Sequence, residues 1–312
     1  MKRRFPQWLR KRLPAPAKTR PVLDLLEELG LNTVCQQAHC PNVGECFARG
    51  TATFMILGKV CTRDCAFCAV EGGTPLPPDP DEPEHVAEAA ASLALRHVVV
   101  TSVTRDDLPD GGSGHFGATI RAIHARTEAT VEVLTPDFGG RPADVDRVLD
   151  AGPEVFNHNV ETVPRLYGAV RPGADYARSL AVLARAAGRA RQGIPVTKSG
   201  LMLGLGETEA ETRGVLRDLR KAGCRVVTLG QYLAPSAGHH PVAEFVTPER
   251  FEQLGELARR MGFEAVASGP FVRSSYGAER LAAGLLKDVA KNTTCRAGGR
   301  DAVRDEAAAP GR

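Results

Sequence analysis

The chain has 312 residues, a net charge of +3, 43% hydrophobic residues and 25% charged ones. Those values describe an ordinary soluble globular protein, with room for one large domain or two smaller ones. No apolar run approaches the roughly 20 residues that a membrane helix needs, so no membrane partner is expected.

The charge is uneven. Residues 1–20 carry Lys2, Arg3, Arg4, Arg10, Lys11, Arg12, Lys18 and Arg20 and no acid. A solvated, flexible arm accounts for this, as does a docking arm for an acidic partner. A basic mitochondrial presequence is disfavoured by Pro6, Pro14 and Pro16, which interrupt any amphipathic helix. There is no apolar h-region of a secretory signal. No aromatic-interleaved basic face follows the arm, so no nucleic-acid partner is expected.

After the arm, Val22, Leu25, Leu26 and Leu29 fall at helical spacing and Gly30 stops the helix. A cysteine-rich segment spans 35–70 and contains one strand-like run, Phe54 to Leu57. Pro75, Pro77, Pro78, Pro80 and Pro83 make an irregular connector. The chain then alternates. Strands are expected at Val98–Val100, Val131–Leu134, from Val155, at Val196–Leu203, Val226–Leu229 and Phe263–Ala267. Helices are expected between them, through Val86 and Ala90, after the capping box Thr208 to Glu211, and after Thr247-Pro248. Apolar strands alternating with helices predict a parallel α/β sheet covered by helices. Six or seven units suit a partial barrel better than a closed eight-fold one. No internal repeat is visible, and the tail beyond about residue 296 is expected to be disordered.

Six of the eight cysteines fall into two triplets. Cys35, Cys40 and Cys46 spell C-x4-C-x5-C; Cys61, Cys65 and Cys68 spell C-x3-C-x2-C. Thiolates are soft ligands that suit iron–sulfur clusters or zinc. Each triplet can hold three irons of a cubane and leave the fourth without a cysteine, and an iron with an open position can do chemistry. Zinc sites pair C-x2-C elements to reach four ligands. Cys65-x2-Cys68 with Cys61 and a remote histidine remains a zinc alternative. Buried core cysteines fit poorly beside Arg49, Arg63 and Asp64. A long chain of this composition belongs in a reducing compartment, where metal chemistry is favoured over disulfides.

The run Cys61-Thr62-Arg63-Asp64-Cys65-Ala66-Phe67-Cys68 resembles the signature loop of radical S-adenosylmethionine (SAM) enzymes. Further runs resemble the lipoyl synthase family: Ala38 to Asn42, Gly44 to Cys46, Gly50 to Gly58, Thr101 to Val103 and Arg105 to Gly112. So do Phe156 to Asn159, Arg171 to Tyr176, and Gly269 to Tyr276, which ends in Arg273-Ser274-Ser275-Tyr276. The resemblance covers roughly residues 20–285. Phe47 stands where tryptophan is expected, a change of packing only.

The resemblance implies a partial (β/α)6-type radical SAM barrel with N- and C-terminal extensions that hold an auxiliary cluster. The segments would be a basic flexible arm (1–20), an auxiliary-cluster extension (21–53), the barrel (54–268), a C-terminal extension (269–295) and a tail (296–312). It implies two 4Fe-4S clusters and SAM. Cys61, Cys65 and Cys68 would hold the cluster whose open iron binds SAM, and an electron would then release a 5′-deoxyadenosyl radical. That radical would remove hydrogens from carbons 6 and 8 of an octanoyl chain on a carrier-domain lysine. The cluster of Cys35, Cys40 and Cys46 would donate both sulfurs. Its fourth ligand, by the family pattern, is Ser275, a harder and more labile ligand than thiolate; without that pattern, Ser274-Ser275 reads as an ordinary polar loop.

SAM contacts are expected after the strands, at Thr101, Ser102, Asp106 and Asp107 and at Asn157, Asn159, Glu161 and Arg171. Gly204-Leu205-Gly206-Glu207 is a weak glycine motif, and His39, His158, His239 and His240 carry no assignable motif. Cys224 reads as a core cysteine; Cys295 is a weaker candidate. The implied partners are octanoylated lipoyl carrier domains, on 2-oxo acid dehydrogenase E2 subunits and the glycine cleavage H protein. A ferredoxin or flavodoxin would donate electrons, and an iron–sulfur carrier would rebuild the consumed cluster. The expected compartment is the cytoplasm. Two rivals stand beside this reading: another radical SAM sulfur insertion, and a non-catalytic iron–sulfur protein with fully capped clusters.

Overall fold

The structure, a computed structural model, describes residues 5–11, 15–190, 195–281 and 283–286. The expectations for Lys2, Arg3, Arg4, Arg12, Pro14, Cys295 and the tail 296–312 lie outside the described residues.

Strand β1 (Thr53–Ile56) is followed by a loop that contains a two-residue parallel pair, β2 (Val60–Cys61) and β3 (Glu71–Gly72). The main strands continue with β4 (His97–Ser102), β5 (Thr130–Leu134), β6 (Val155–Asn157), β7 (Val196–Leu203), β8 (Val226–Gln231) and β9 (Ala265–Gly269). They form one seven-stranded sheet in the order β1-β4-β5-β6-β7-β8-β9, with every neighbouring pair parallel. Six helices make the crossovers: Glu82–Ser92, Ser113–Arg126, Pro142–Asp150, Tyr176–Arg189, Glu209–Lys221 and Pro248–Arg260. The architecture is a partial α/β barrel of six βα units and a closing seventh strand.

Local chemistry sets these elements. β8 is buried along its whole length and β4 in all but its last residue, as parallel strands covered on both faces must be. Helix Arg20–Glu28 carries Pro21 in its first turn and buries Val22 and Leu26; Gly30, at φ 65°, turns the chain after it. Helix Glu209–Lys221 starts with the full capping box, in which Thr208 and Glu211 satisfy each other's backbone amides. Two short helices, Val34–Gln37 and Val43–Ala48, shape the first cysteine triplet.

One feature of the sheet has no apolar logic. Strands β4 to β7 bring together His97, Glu132, Asn157 and Lys198, all buried. Lys198 Nζ donates to Glu132 Oε1 at 2.7 Å, and His97 Nε2 lies 3.4 Å from Glu132 Oε2. Burial opposes the Glu132 charge, but Lys198 and His97 bring its carboxyl down to about 2.

Candidate active site

Parallel strands all end on one edge of the sheet, and ligands in such folds bind outside that edge. Here the edge carries a cavity of about 390 Å³, bordered by Leu134, Leu201, Met202 and Gln231 from the strand ends. Cys35 and Cys40 of the first triplet, Cys68 of the second, and Arg273, Ser274 and Ser275 also border it. Phe5 reaches the same cavity, and its ring lies 5.7 Å from that of Phe245.

The second triplet is carried by the loop after β1. Leu57 and Gly58 both have positive φ, 68° and 88°, so the chain turns sharply there. Leu57 is held in that strained conformation from two sides: its amide donates to Glu82 Oε2 at 2.7 Å and its carbonyl accepts from Arg105 Nη1 at 3.2 Å. Cys61 Sγ accepts from the amides of Arg63 and Thr104 at 3.4 and 3.3 Å. Arg63 anchors the loop through two carboxylates, Asp106 (2.7 and 2.9 Å) and Asp137 (3.1 and 2.7 Å). Burial works against the Asp137 charge, yet Arg63 draws its carboxyl down to about 2.

The first triplet folds back on itself. Thr33 caps the turn that carries Cys35, and the Cys40 amide donates to the Cys35 carbonyl at 3.1 Å. His39, at φ 48°, turns the chain between them. Burial pushes the Cys46 thiol up to about 11 and Cys68 up to about 12, and the other thiols of each triplet add to it. Cys35 and Cys65 are raised by burial as well.

Among the described residues, no three Cys, His, Asp or Glu side chains converge on one point as a single metal ion requires. Thiolates held at separate positions suit a cubane, which places each on a different iron. Cys35 and Cys40 of one triplet and Cys68 of the other face one cavity, soft donors that fit that group. Loading it would release thiol protons.

The residues expected to meet SAM are dispersed. Asn159 and Glu161 border the cavity. Asn159 Nδ2 donates to Glu161 Oε1 at 2.9 Å and to Ser274 Oγ at 2.6 Å. Burial raises the Glu161 carboxyl, opposed by Arg171, Asn159 and Arg273. Arg171 donates to the carbonyls of Asn159 and Val160, both at 3.0 Å. Asn159 Oδ1, Arg171 Nε, Ser102 Oγ, Asn157 Oδ1 and His158 Nε2 are buried without a hydrogen-bond partner. Such orphaned groups need an explanation, and of these residues only Asn159 borders the cavity. Burial brings the His158 imidazole down to about 4, which keeps it neutral. Thr101 spends its hydroxyl on the Leu134 carbonyl at 2.9 Å. Asp106 is paired to Arg63, and Asp107 to Arg105 at 2.8 and 2.9 Å; neither borders the cavity. Cys224 is fully buried in the core.

The family model of the Radical SAM superfamily matches residues 55–219. Lipoyl synthase from Methylococcus capsulatus is 57% identical over 282 residues, 90% of this chain and 87% of that protein. Lipoyl synthase from Geobacter sulfurreducens is 57% identical over 286 residues, 91% of this chain and 93% of that protein. The chain belongs to the lipoyl synthase family.

The fold also matches solved structures of remote sequence. Methylornithine synthase (PylB) is 13% identical with a TM-score of 0.51, over 84% of each chain. The FeFe-hydrogenase maturase HydG from Carboxydothermus hydrogenoformans is 13% identical with a TM-score of 0.52, over 86% of this chain and 78% of that one. These likenesses speak to the barrel alone.

Met202 and Gln231 escaped the sequence reading, and Arg273 and Ser274 entered it as motif residues without a place in the cavity. A signal was present in two strand glycines. A Cβ on Gly200 would sit 2.7 Å from Asn159 Oδ1, and one on Gly230 would overlap the Val272 carbonyl. Glycine inside a buried strand marks a close approach, here of the site's own amide and of the segment that carries Ser275.

Proposed function

We propose that this member of the lipoyl synthase family inserts two sulfur atoms, at carbons 6 and 8, into an octanoyl chain carried on a lysine of a lipoyl carrier domain. The observation that supports this most is the shared cavity, which Cys35, Cys40, Cys68 and Ser275 border together. A radical chemistry and a sulfur source are of use to one acyl chain only when both face it.

In this reading Cys61, Cys65 and Cys68 hold one 4Fe-4S cluster, and Cys35, Cys40 and Cys46 with Ser275 hold a second. When bound, the two clusters and SAM supply the open iron, the electron, the radical precursor and the sulfur. The protein's own residues position and enclose. Arg63, locked to Asp106 and Asp137, fixes the loop of the second triplet. Asn159, Glu161 and Arg171 present charged and polar groups beside it, and Asn159 also holds Ser274 next to Ser275. Leu201, Met202, Tyr232 and Leu233 line the cavity with apolar surface that receives an alkyl chain and excludes water.

The reading extends to partners. The carriers are the octanoylated E2 subunits of 2-oxo acid dehydrogenases and the glycine cleavage H protein. A ferredoxin or flavodoxin delivers electrons, and an iron–sulfur carrier restores the second cluster. The compartment is the cytoplasm, where thiols stay reduced. No described helix is long and apolar enough to cross a membrane.

A single-turnover assay tests the proposal. Anaerobically reconstituted protein is mixed with SAM, a strong reductant and an octanoyl-lysine peptide, and the products are read by mass spectrometry. The expected result is a peptide that gains two sulfurs as the dithiol, and that becomes two hydrogens lighter when oxidised to the disulfide after the reaction, with deoxyadenosine formed alongside. Deoxyadenosine with unchanged peptide overturns the substrate assignment. No deoxyadenosine from protein loaded with both clusters overturns the radical assignment.

A further inference from the structure

Lys11 belongs to the basic arm, yet it does not point into solvent. Its side chain is 24% exposed. Nζ donates to Asn42 Oδ1 at 2.5 Å and to Glu45 Oε2 at 2.8 Å. The same ammonium lies 4.4 Å from the ring centroid of Phe271 and 5.3 Å from that of Tyr276.

These four partners come from two segments far apart in sequence. Asn42 and Glu45 lie between Cys40 and Cys46; Phe271 and Tyr276 flank Ser275. The segments also touch directly. Asn42 Nδ2 donates to the Phe271 carbonyl at 2.7 Å, and Tyr276 Oη donates to Glu45 Oε1 at 2.9 Å. Asn42 thus receives Lys11 on its amide oxygen and gives its amide NH to Phe271. Glu45 receives Lys11 on one oxygen and Tyr276 on the other, with Arg49 also 2.9 Å away. Lys11 draws the Glu45 carboxyl below its ordinary range.

We propose that Lys11 is a positioning residue, a clasp that holds the first cysteine triplet against the Ser275 segment. A lone lysine–carboxylate pair at a surface contributes little. Lys11 differs because one charge serves two acceptors and two aromatic faces at once, and two of its partners, Glu45 and Tyr276, adjoin Cys46 and Ser275. Arg49 does not make the same span: its ion pair is with Glu45, four residues back in the helix whose C-terminal end Arg49 caps. The clasp stands on the contacts themselves; its effect on the second cluster rests on the ligand assignment proposed above.

Hydrogen–deuterium exchange of the full chain tests the clasp without any cluster. Lys11→Met keeps the aliphatic stem and removes the charge. In that variant, amides at 40–48 and 271–276 are expected to exchange about five- to tenfold faster, with β4 and β5 unchanged. Lys11→Arg, which retains the charge, recovers most of the protection. Equal exchange in Lys11→Met and the parent chain overturns the proposal, as does faster exchange spread over the whole barrel. A second readout uses the Cys61→Ala/Cys65→Ala/Cys68→Ala background, which leaves only the first triplet to bind iron. Added Lys11→Met is expected to speed loss of reconstituted iron to a chelator by a similar factor, and an unchanged rate refutes the effect on the cluster. If that background takes up no iron and sulfide, the ligand assignment fails, and exchange alone decides on the clasp.

Discussion

Lys198 and Glu132 sit where charge is costly, each side chain 1% exposed. The pair persists because each ion answers the other and His97 and Asn157 fill the remaining valences of the carboxylate. Removing one partner strands the other. Lys198→Met is expected to cost about 3–5 kcal/mol in chemical denaturation, and adding Glu132→Gln is expected to recover most of the loss. A failure of the double variant to recover stability would show that packing, not charge, is at stake. The pair also sets an acid limit. Glu132 is depressed from 4.5 to about 2, so its contribution is complete above pH 4.5 and is lost as pH falls toward 2. The double variant should therefore show a shallower loss of stability over that window, by up to about 1.4 kcal/mol per pH unit. Titrating the denaturation midpoint of both proteins checks it.

At the scale of elements, legibility followed locality. The capping box Thr208 to Glu211 reads directly from sequence and is fully formed, with the Thr208 amide 2.8 Å from Glu211 Oε2. Thr208→Ala should cost about 1 kcal/mol and lower the melting temperature by about 2 °C; calorimetry decides. Val98–Val100 and Val226–Leu229 were legible because a strand buried on both faces has little choice but to be apolar. The short helices around Cys35 and Cys46 were not, since four to six residues are too few for a periodic signal. Asp106 and Asp107 looked available for a ligand in sequence. Their arginine partners, Arg63 and Arg105, were both in view, but pairing depends on where a loop returns. Lys198 read as part of a strand, and nothing local announced a carboxylate 66 positions away. The cysteine spacing was the clearest signal, and the family it pointed to is the one the chain belongs to.

The whole molecule is a barrel with a second layer of contacts laid across its open edge. Cys61, Cys65 and Cys68 are held by the barrel's own loops, through Thr104, Val170 and Asp137. The first triplet meets residues 271–276 through Asn42 and Glu45, besides resting on β1 through the Thr33–Phe54 bridge. Truncation after residue 269 should therefore leave a protein that binds about four irons rather than about eight and still cleaves SAM, without forming product. Loss of both clusters' iron would show that the layers are one unit. The contact of Asn42 with Phe271 spans 229 positions, and that of Tyr276 with Glu45 spans 231. Translation proceeds at about 5–20 residues per second, so roughly ten to fifty seconds separate the emergence of the two halves of this enclosure. Throughout that interval Cys35, Cys40 and Cys46 stand on the nascent chain without the wall that will cover them. Their thiols stay open to oxidants and stray metals until residues 271–276 follow, so assembly of this site is sensitive to how fast the intervening stretch of chain is made.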